Sequence, residues 1–326
     1  MSDVAIGGGQ PLRDLVPGGQ PLPDAGAAAE AGIVGRRSVV RRLLRQRSAV
    51  VGLVLLGFLL LVALLADVLA THDPIQVLLG VEPGMRPRTP PCIHLLGCAP
   101  DQAQHILGSD GNGRDEYSRL LFGTRVSLFV GFVTVFGAIL IGTVIGAVAG
   151  YAGGRTDNIL MRLMDMLLAF PALLLALVIV TVLGKGLINA MIAVAIVSIP
   201  IYARVMRAAV LSVRELDYVT AARAMGDSSV GILLRRVIPN SLTPLIVQAT
   251  LGIGGAVLEV AALSFLGLAA QPPTAEWGTM IGNERNQLFT APWLIIAPGI
   301  ALTITVLAFN LLGDGLRDAL DPRLSQ

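Results

Sequence analysis

Residues that could carry out chemistry are scarce among the 326 residues of this chain, and several catalytic patterns are missing from it. No G-x-x-x-x-G-K-S/T loop occurs, so the chain is not itself a standard P-loop ATPase. No H-E-x-x-H occurs either. The histidines are His72, His94 and His105, and all lie outside the apolar segments. An intramembrane Ser–His hydrolase is therefore excluded on residue types.

Two carboxylates near apolar segments, Asp165 and Asp314, raise the hypothesis of an intramembrane aspartyl enzyme. That chemistry needs two carboxylates sharing a proton. The topology argued below puts Asp165 about two helical turns above the inner membrane face and Asp314 at or beyond the end of its segment. The enzyme is therefore only a remote alternative.

Glu259 and Asp165 are among the few ionisable residues inside the apolar segments. Charges in a membrane are costly and usually face a cavity or a polar partner. Two roles stay open for them. They could line a pathway, or they could bond to a neighbouring helix or partner subunit.

The polar stretch 71–121 holds both cysteines, Cys92 and Cys98. In an oxidising compartment they could form a disulfide, and two free thiols are the alternative. Their spacing matches no zinc pattern, so we predict no metal site. Residues 110–115 superficially resemble a calcium loop, but Arg114 and Leu121 stand where oxygen ligands are needed. A turn before the next helix is predicted instead.

Composition indicates an all-α membrane protein. The chain is 54% apolar and only 14% charged, with a mean hydropathy of +0.74, whereas soluble domains average about 25% charged residues. Apolar runs long enough to cross a hydrocarbon core of about 30 Å predict six transmembrane helices. Kinks are predicted at Pro171 and Pro200, and close helix packing at Gly142 and Gly146. The predicted spans are residues 49–70, 122–150, 158–183, 187–210, 241–268 and 292–312.

Charge distribution orients these helices. Six arginines between Arg36 and Arg47 precede the first span, which predicts a cytoplasmic N-terminus and disfavours nucleic-acid binding. Residues 1–35 are Gly-, Pro- and Ala-rich and are predicted to be a disordered tail, not a signal peptide. Residues 71–121 should then lie outside, with the tail 314–326 inside.

One polar segment, residues 216–240, separates the fourth and fifth spans. Its pattern predicts two short helical pieces hinged at Gly226, with Asp227 or Ser228 capping the second and Pro239 ending or bending it. Each piece is too short to be stable alone in water. We therefore expect this cytoplasmic segment, within residues 211–240, to dock on a partner surface.

Ala221, Ala222, Gly226 and Pro239 resemble the EAA loop of ATP-binding-cassette (ABC) importer permeases, although Thr220 replaces the usual Glu. The flanks resemble the C-type subunit of the dipeptide/oligopeptide permease subfamily. The matching stretches are HILGSDGNGRD (105–115), YSRLLFGTRVSL (117–128), EVAALSFLG (259–267), QPPT with WG (271–278) and LAFNLLGDGLRDALDPR (307–323). The likeness runs from about residue 37 to the end, apart from the insertion between the cysteines.

This resemblance implies a type I importer permease in a bacterial inner membrane, with a second homologous permease, two ABC ATPases and an extracytoplasmic binding protein as partners. It implies no cofactor on this chain, ATP and Mg on the partner subunits, and di- or oligopeptides as cargo, with nickel or oligosaccharides as alternatives. The coupling residues it implies are Asp217, Tyr218, Ala221, Ala222, Arg223, Gly226, Asp227 and Pro239.

Overall fold

Helices make up nearly all of the regular structure in the computed structural model, which describes residues 41–99, 102 and 104–320. Among these residues there is no β-strand, only isolated bridges between Cys92 and His105 and between Ser109 and Asp115. The predicted N-terminal tail lies outside the described residues, as do residues 36–40 and 321–326. The labelled helices are α1 Arg47–Leu69, α2 Glu116–Ala152, α3 Gly154–Leu168, α4 Ala172–Leu183, α5 Leu187–Val213, α6 Asp217–Ala224, α7 Ser229–Ile232, α8 Ile238–Phe265, α9 Trp277–Glu284 and α10 Trp293–Leu320.

Five helices are long and apolar enough to cross a membrane, and the bent pair α3 and α4 brings the count to six. The bend between these two helices is 91°. Pro171 stands directly before α4, where its ring has no N–H and disfavours helical geometry in the preceding residue. The predicted third span is therefore broken at Pro171, whereas Pro200 lies inside a continuous α5.

Glycines hold α2 and α5 in close contact. A Cβ added to Gly142 would lie 2.7 Å from the Cβ of Tyr202, and one added to Gly150 would lie 2.9 Å from the carbonyl oxygen of Arg207. Close packing at Gly142 and Gly146, as the sequence predicts, is confirmed, because only glycine lets the backbones approach this far.

The same contacts show that α2 and α5 run parallel, since residue numbers rise together along both helices. The connection between them must therefore return across the bundle, and α3 and α4 make that return. At the start of α5, Gly186 donates to the carbonyl of Leu268; at its end, Arg214 donates to that of Gly150. We call the Gly150 end the coupling face and the Leu268 end the loop face.

Several predicted helix boundaries are wrong, because an apolar run shows which residues lie in the membrane and does not show where the helix begins or ends. The second span begins at Glu116 instead of 122, since the Asp115 side chain caps it by accepting from the Ser118 amide. The last helix continues through the polar residues of the predicted tail to Leu320. There Gly315 packs against Ala49 of α1.

Candidate coupling site and the opposite face

The coupling segment, residues 216–240, turns sharply at Gly226, as the sequence predicts. Gly226 has φ +89°, a left-handed conformation that glycine adopts without steric cost. Its amide donates to the carbonyl of Arg223 (3.1 Å), and the Asp227 amide donates to that of Ala222 (3.1 Å). These bonds satisfy carbonyls left open at the end of α6.

Of the two predicted caps, Ser228 is the one that begins α7. Its hydroxyl accepts from the Gly231 amide at 3.1 Å. Asp227 instead forms an ion pair with Arg236, with Oδ2 at 2.7 Å from Nη2. The pair spans the turn and links the Gly226 loop to the start of the fifth span.

Of the two alternatives predicted for Pro239, that it ends or that it bends the second piece, an end is wrong. A π-helical turn, Leu233–Val237, joins α7 to α8, and Pro239 lies in the first turn of α8. In the π turn the Ile238 amide donates to the carbonyl of Leu233, five residues earlier. The helix is therefore wider than an α-helix directly before Pro239, which has no N–H to donate. The coupling segment is therefore continuous with the fifth span.

Burial divides the segment into two sides. Val219, Ala222 and Ile232 are almost completely buried and hold the segment against the helices. Of the residues that the resemblance implies for coupling, Ala222 alone is buried, and the other seven are exposed. Large apolar side chains that remain exposed around the turn are those of Leu216, Tyr218, Met225, Val230 and Leu234. We call this set the apolar coupling patch; exposed apolar side chains near one another are typical of interaction sites.

Arginines of α5 fasten α3 to the coupling face. Arg207 contacts both carboxylate oxygens of Asp157, and Arg204 is paired with Asp165. Because the partner of Asp165 is a cation, this site is not a pair of carboxylates sharing a proton. Asp314 is exposed on α10. Glu259 is half-buried on α8 and has no hydrogen-bonding partner among the described residues.

At the loop face the disulfide alternative is the one present, with Cys92 bonded to Cys98. Cys92 also exchanges backbone hydrogen bonds with His105, at 2.8 and 3.0 Å. Next to it, the calcium-like stretch is a turn: Asp110 accepts from the Asn112 and Arg114 amides and pairs with the Arg114 side chain. The carboxylate of Asp110 is therefore already bonded within the turn and is not available as a calcium ligand.

A buried histidine, His105, lies between two carboxylates at this face. Its Nδ1 is 2.8 Å from Asp115 Oδ1 and its Nε2 is 2.9 Å from Glu82 Oε2. Burial acts to lower the pKa of His105, but the bonds to Asp115 and Glu82 outweigh it and raise that pKa. Burial acts to raise the pKa of Asp115, yet the bonds from His105 and Ser118 leave it lowered.

Comparison with known proteins identifies the family. The family model for the binding-protein-dependent transport system inner membrane component matches residues 142–326. This chain belongs to that family. A second model, the N-terminal TM domain of oligopeptide transport permease C, matches residues 36–91 of the permease. The resemblance to ABC importer permeases is thereby confirmed, and the permease is a multi-pass inner-membrane subunit of an importer.

Similar curated proteins are peptide transport permeases. The dipeptide transport system permease protein DppC of Alkalihalophilus pseudofirmus is 43% identical over 288 residues, covering 88% of this chain and 90% of that protein. The di/tripeptide permease DppC of Pseudomonas aeruginosa is 50% identical, covering 68% and 74%. The glutathione transport permease GsiD of Pectobacterium atrosepticum is 48% identical, and the match covers 68% of this chain and 73% of GsiD.

The fold is shared with a solved transporter. An inward-facing structure of the MetNI methionine ABC transporter aligns with a TM-score of 0.53 at 19% identity, covering 62% of this chain and 97% of that one. This likeness confirms the predicted type I importer fold.

Sequence reasoning missed the side-chain network at the loop face. Arg88 bonds to Glu284 (2.7 Å), and the Gly111 amide donates to the same carboxylate (2.8 Å). Arg119 bonds to the carbonyls of Pro74 and Pro273. These partners lie far apart in sequence. The only signal in the sequence is that so many charged residues precede α2.

Proposed function

We propose that this permease imports small peptides and works as one half of a heterodimer with a second, homologous permease. Two ATPases would bind and hydrolyse ATP with Mg at the coupling face, and the permease itself would bind neither. A substrate-binding protein would deliver cargo to the loop face. The coupling face would then be cytoplasmic, as the arginine distribution predicts.

The observation that carries the coupling role is the exposed turn at Gly226. Its apolar coupling patch is open to solvent while its other side is anchored in the bundle through Val219 and Ala222. A marginal helix pair with exposed apolar side chains fits a groove on a partner. Because α7 continues into α8 through the π turn, a displacement of the apolar coupling patch by a partner would move a membrane helix directly.

Small peptides are the best-supported cargo because the similar permeases are named for the transport of dipeptides, di/tripeptides and glutathione. Glu259 and Asp165 are among the few ionisable side chains within the predicted spans. A pathway with few charged groups suits varied cargo, with selection made by the binding protein. Nickel and oligosaccharides are the alternatives.

The test is uptake by the complete transporter in proteoliposomes, with labelled di- and tripeptides, labelled oligosaccharide and nickel supplied separately. Saturable, ATP-dependent peptide uptake supports the proposal. Saturable nickel or sugar uptake without peptide uptake would overturn the cargo assignment and leave the coupling role intact. The matched control replaces ATP with a non-hydrolysable analogue, which should abolish uptake of any cargo.

A further inference from the structure

Two histidines and a carboxylate meet at the loop face, and the transport proposal gives these three side chains no role. His72 lies just after α1, Glu82 in the following loop and His105 at the bridge to Cys92. The His72 Nε2 is 3.2 Å from Glu82 Oε1, and the His105 Nε2 is 2.9 Å from Glu82 Oε2. All three ligand atoms lie within 4.8 Å of one another.

The outer hydrogen bonds orient this cluster as metal ligands are usually oriented. Asp115 faces the Nδ1 of His105 at 2.8 Å and is itself held by the amide and hydroxyl of Ser118, at 2.8 and 2.7 Å. The Nδ1 of His72 is 3.0 Å from the Thr71 hydroxyl. A carboxylate on the far nitrogen of a histidine fixes its tautomer and directs the other nitrogen's lone pair at a metal ion.

Charge balance points the same way. Each ring nitrogen of His105 faces a carboxylate oxygen, so in the absence of a metal a proton on each nitrogen satisfies both contacts. A metal ion at Nε2 would take the place of the proton between His105 and Glu82. Glu82 and Asp115 supply two negative charges to the cluster, which matches the charge of a divalent ion.

We propose that His72, Glu82 and His105 bind a divalent transition-metal ion, with zinc as the best match. Two imidazole nitrogens and one carboxylate oxygen are zinc ligands at about 2.0–2.2 Å. Tetrahedral ligands at that radius are roughly 3.3–3.5 Å apart, so the two nitrogen–oxygen separations would open by a few tenths of an ångström. The rings of His72 and His105 are stacked with their centroids 4.8 Å apart, so one of them would also turn to bring both nitrogens to the same ion. The side chains of His72 and Glu82 are 22% and 23% exposed, which gives an ion access and leaves room for a water ligand.

The ion would join three separate parts of the chain: the end of α1, the loop after it and the residues leading into α2. Sequence spacing predicts no metal site because these ligands are far apart along the chain. A second set, Cys92, His94 and Cys98, is also close together. Its two sulfur atoms are bonded to each other, so neither offers the thiolate that zinc binds.

The test uses the full-length permease in lipid nanodiscs under oxidising conditions, with Zn²⁺ alone as the probe. Zinc content is measured after dialysis, and affinity is measured by competition with a chelator. We expect one tightly bound zinc per chain. His72→Gln and Glu82→Gln should each weaken binding by at least about tenfold. His94→Gln, at an exposed histidine of the same loop, is the matched control and should bind like the parent.

Two further measurements keep the outcome decisive. Circular dichroism and size exclusion establish that each variant is folded; the buried His105 is left unchanged for that reason. Co²⁺ in place of Zn²⁺ should give the visible absorption of a four-coordinate site, and Glu82→Gln should remove it. The proposal is overturned if the parent retains no zinc, if both His72→Gln and Glu82→Gln bind zinc with parental affinity, or if only His94→Gln loses it.

Discussion

Arg207 and Asp157 form a two-pronged ion pair, with Nε 2.5 Å from Oδ1 and Nη2 2.6 Å from Oδ2. The pair joins α5, which leads into the coupling segment, to the first turn of α3. Both charges share two parallel hydrogen bonds, the geometry in which arginine and a carboxylate interact most strongly. The start of the broken span is thereby fixed to the coupling face.

Asp157→Asn should lower the stability of the permease. The loss should be about 1.5–3 kcal/mol, because hydrogen bonds to charged groups contribute that much and the carboxylate is mostly buried. Thermal unfolding in detergent would measure it. The matched control is Asp165→Asn, whose ion pair with Arg204 is about half exposed, so its loss should be smaller. Equal losses would contradict the distinction between the two pairs.

Gly226→Val should uncouple ATP hydrolysis from uptake. A Cβ added there meets no atom within 4 Å, so we attribute the damage to the left-handed backbone, at about 1–2 kcal/mol. Gly226→Asn should retain more uptake, since Asn tolerates this conformation. Gly255→Val, at a glycine of α8 that also has open space around it, is the control. Full ATP-driven uptake by an assembled Gly226→Val complex would refute the coupling assignment.

Met225→Glu should weaken binding of the ATPases, because it puts a charge into the apolar coupling patch; Met225 is 73% exposed. Thr220→Glu adds the same charge to the exposed side of the same helix and supplies the residue usual in the EAA loop. It should therefore leave binding intact. Co-purification of tagged ATPases measures both. The patch is not the docking surface if the two variants bind equally well.

Gly146→Ala should destabilise the contact between α2 and α5. The new methyl group would lie 2.8 Å from the Cβ of Met206, and overpacking of this kind costs about 1–3 kcal/mol. Gly137→Ala is the control on the same helix, since its methyl group would meet only the Cβ of Ala195, at 3.9 Å. Thermal unfolding should separate the two variants. A harmless Gly146→Ala would argue against backbone contact at this position.

Local chemistry made much of this fold predictable from the sequence. Apolar run length identified the spans, and Gly226 identified the turn. The same reasoning put the start of α2 too late, because the capping of Ser118 by Asp115 adds a polar turn to the helix. It also misplaced the end at Pro239, since a π turn is invisible in residue periodicity.

The loop-face cluster was beyond prediction for a different reason. Glu82 meets His105 only because the bridge at Cys92 and the start of α2 bring distant residues together. No local pattern encodes that meeting. The side of the membrane on which each face lies is still a prediction from charge.

The glycine contacts between α2 and α5 have a mechanical consequence. Where backbone touches backbone, no intervening side chain is present to change rotamer and absorb a displacement. We therefore expect α2 and α5 to move as one rigid unit during a transport cycle. We expect bending at positions without such contacts, namely the 91° bend between α3 and α4 and the turn at Gly226.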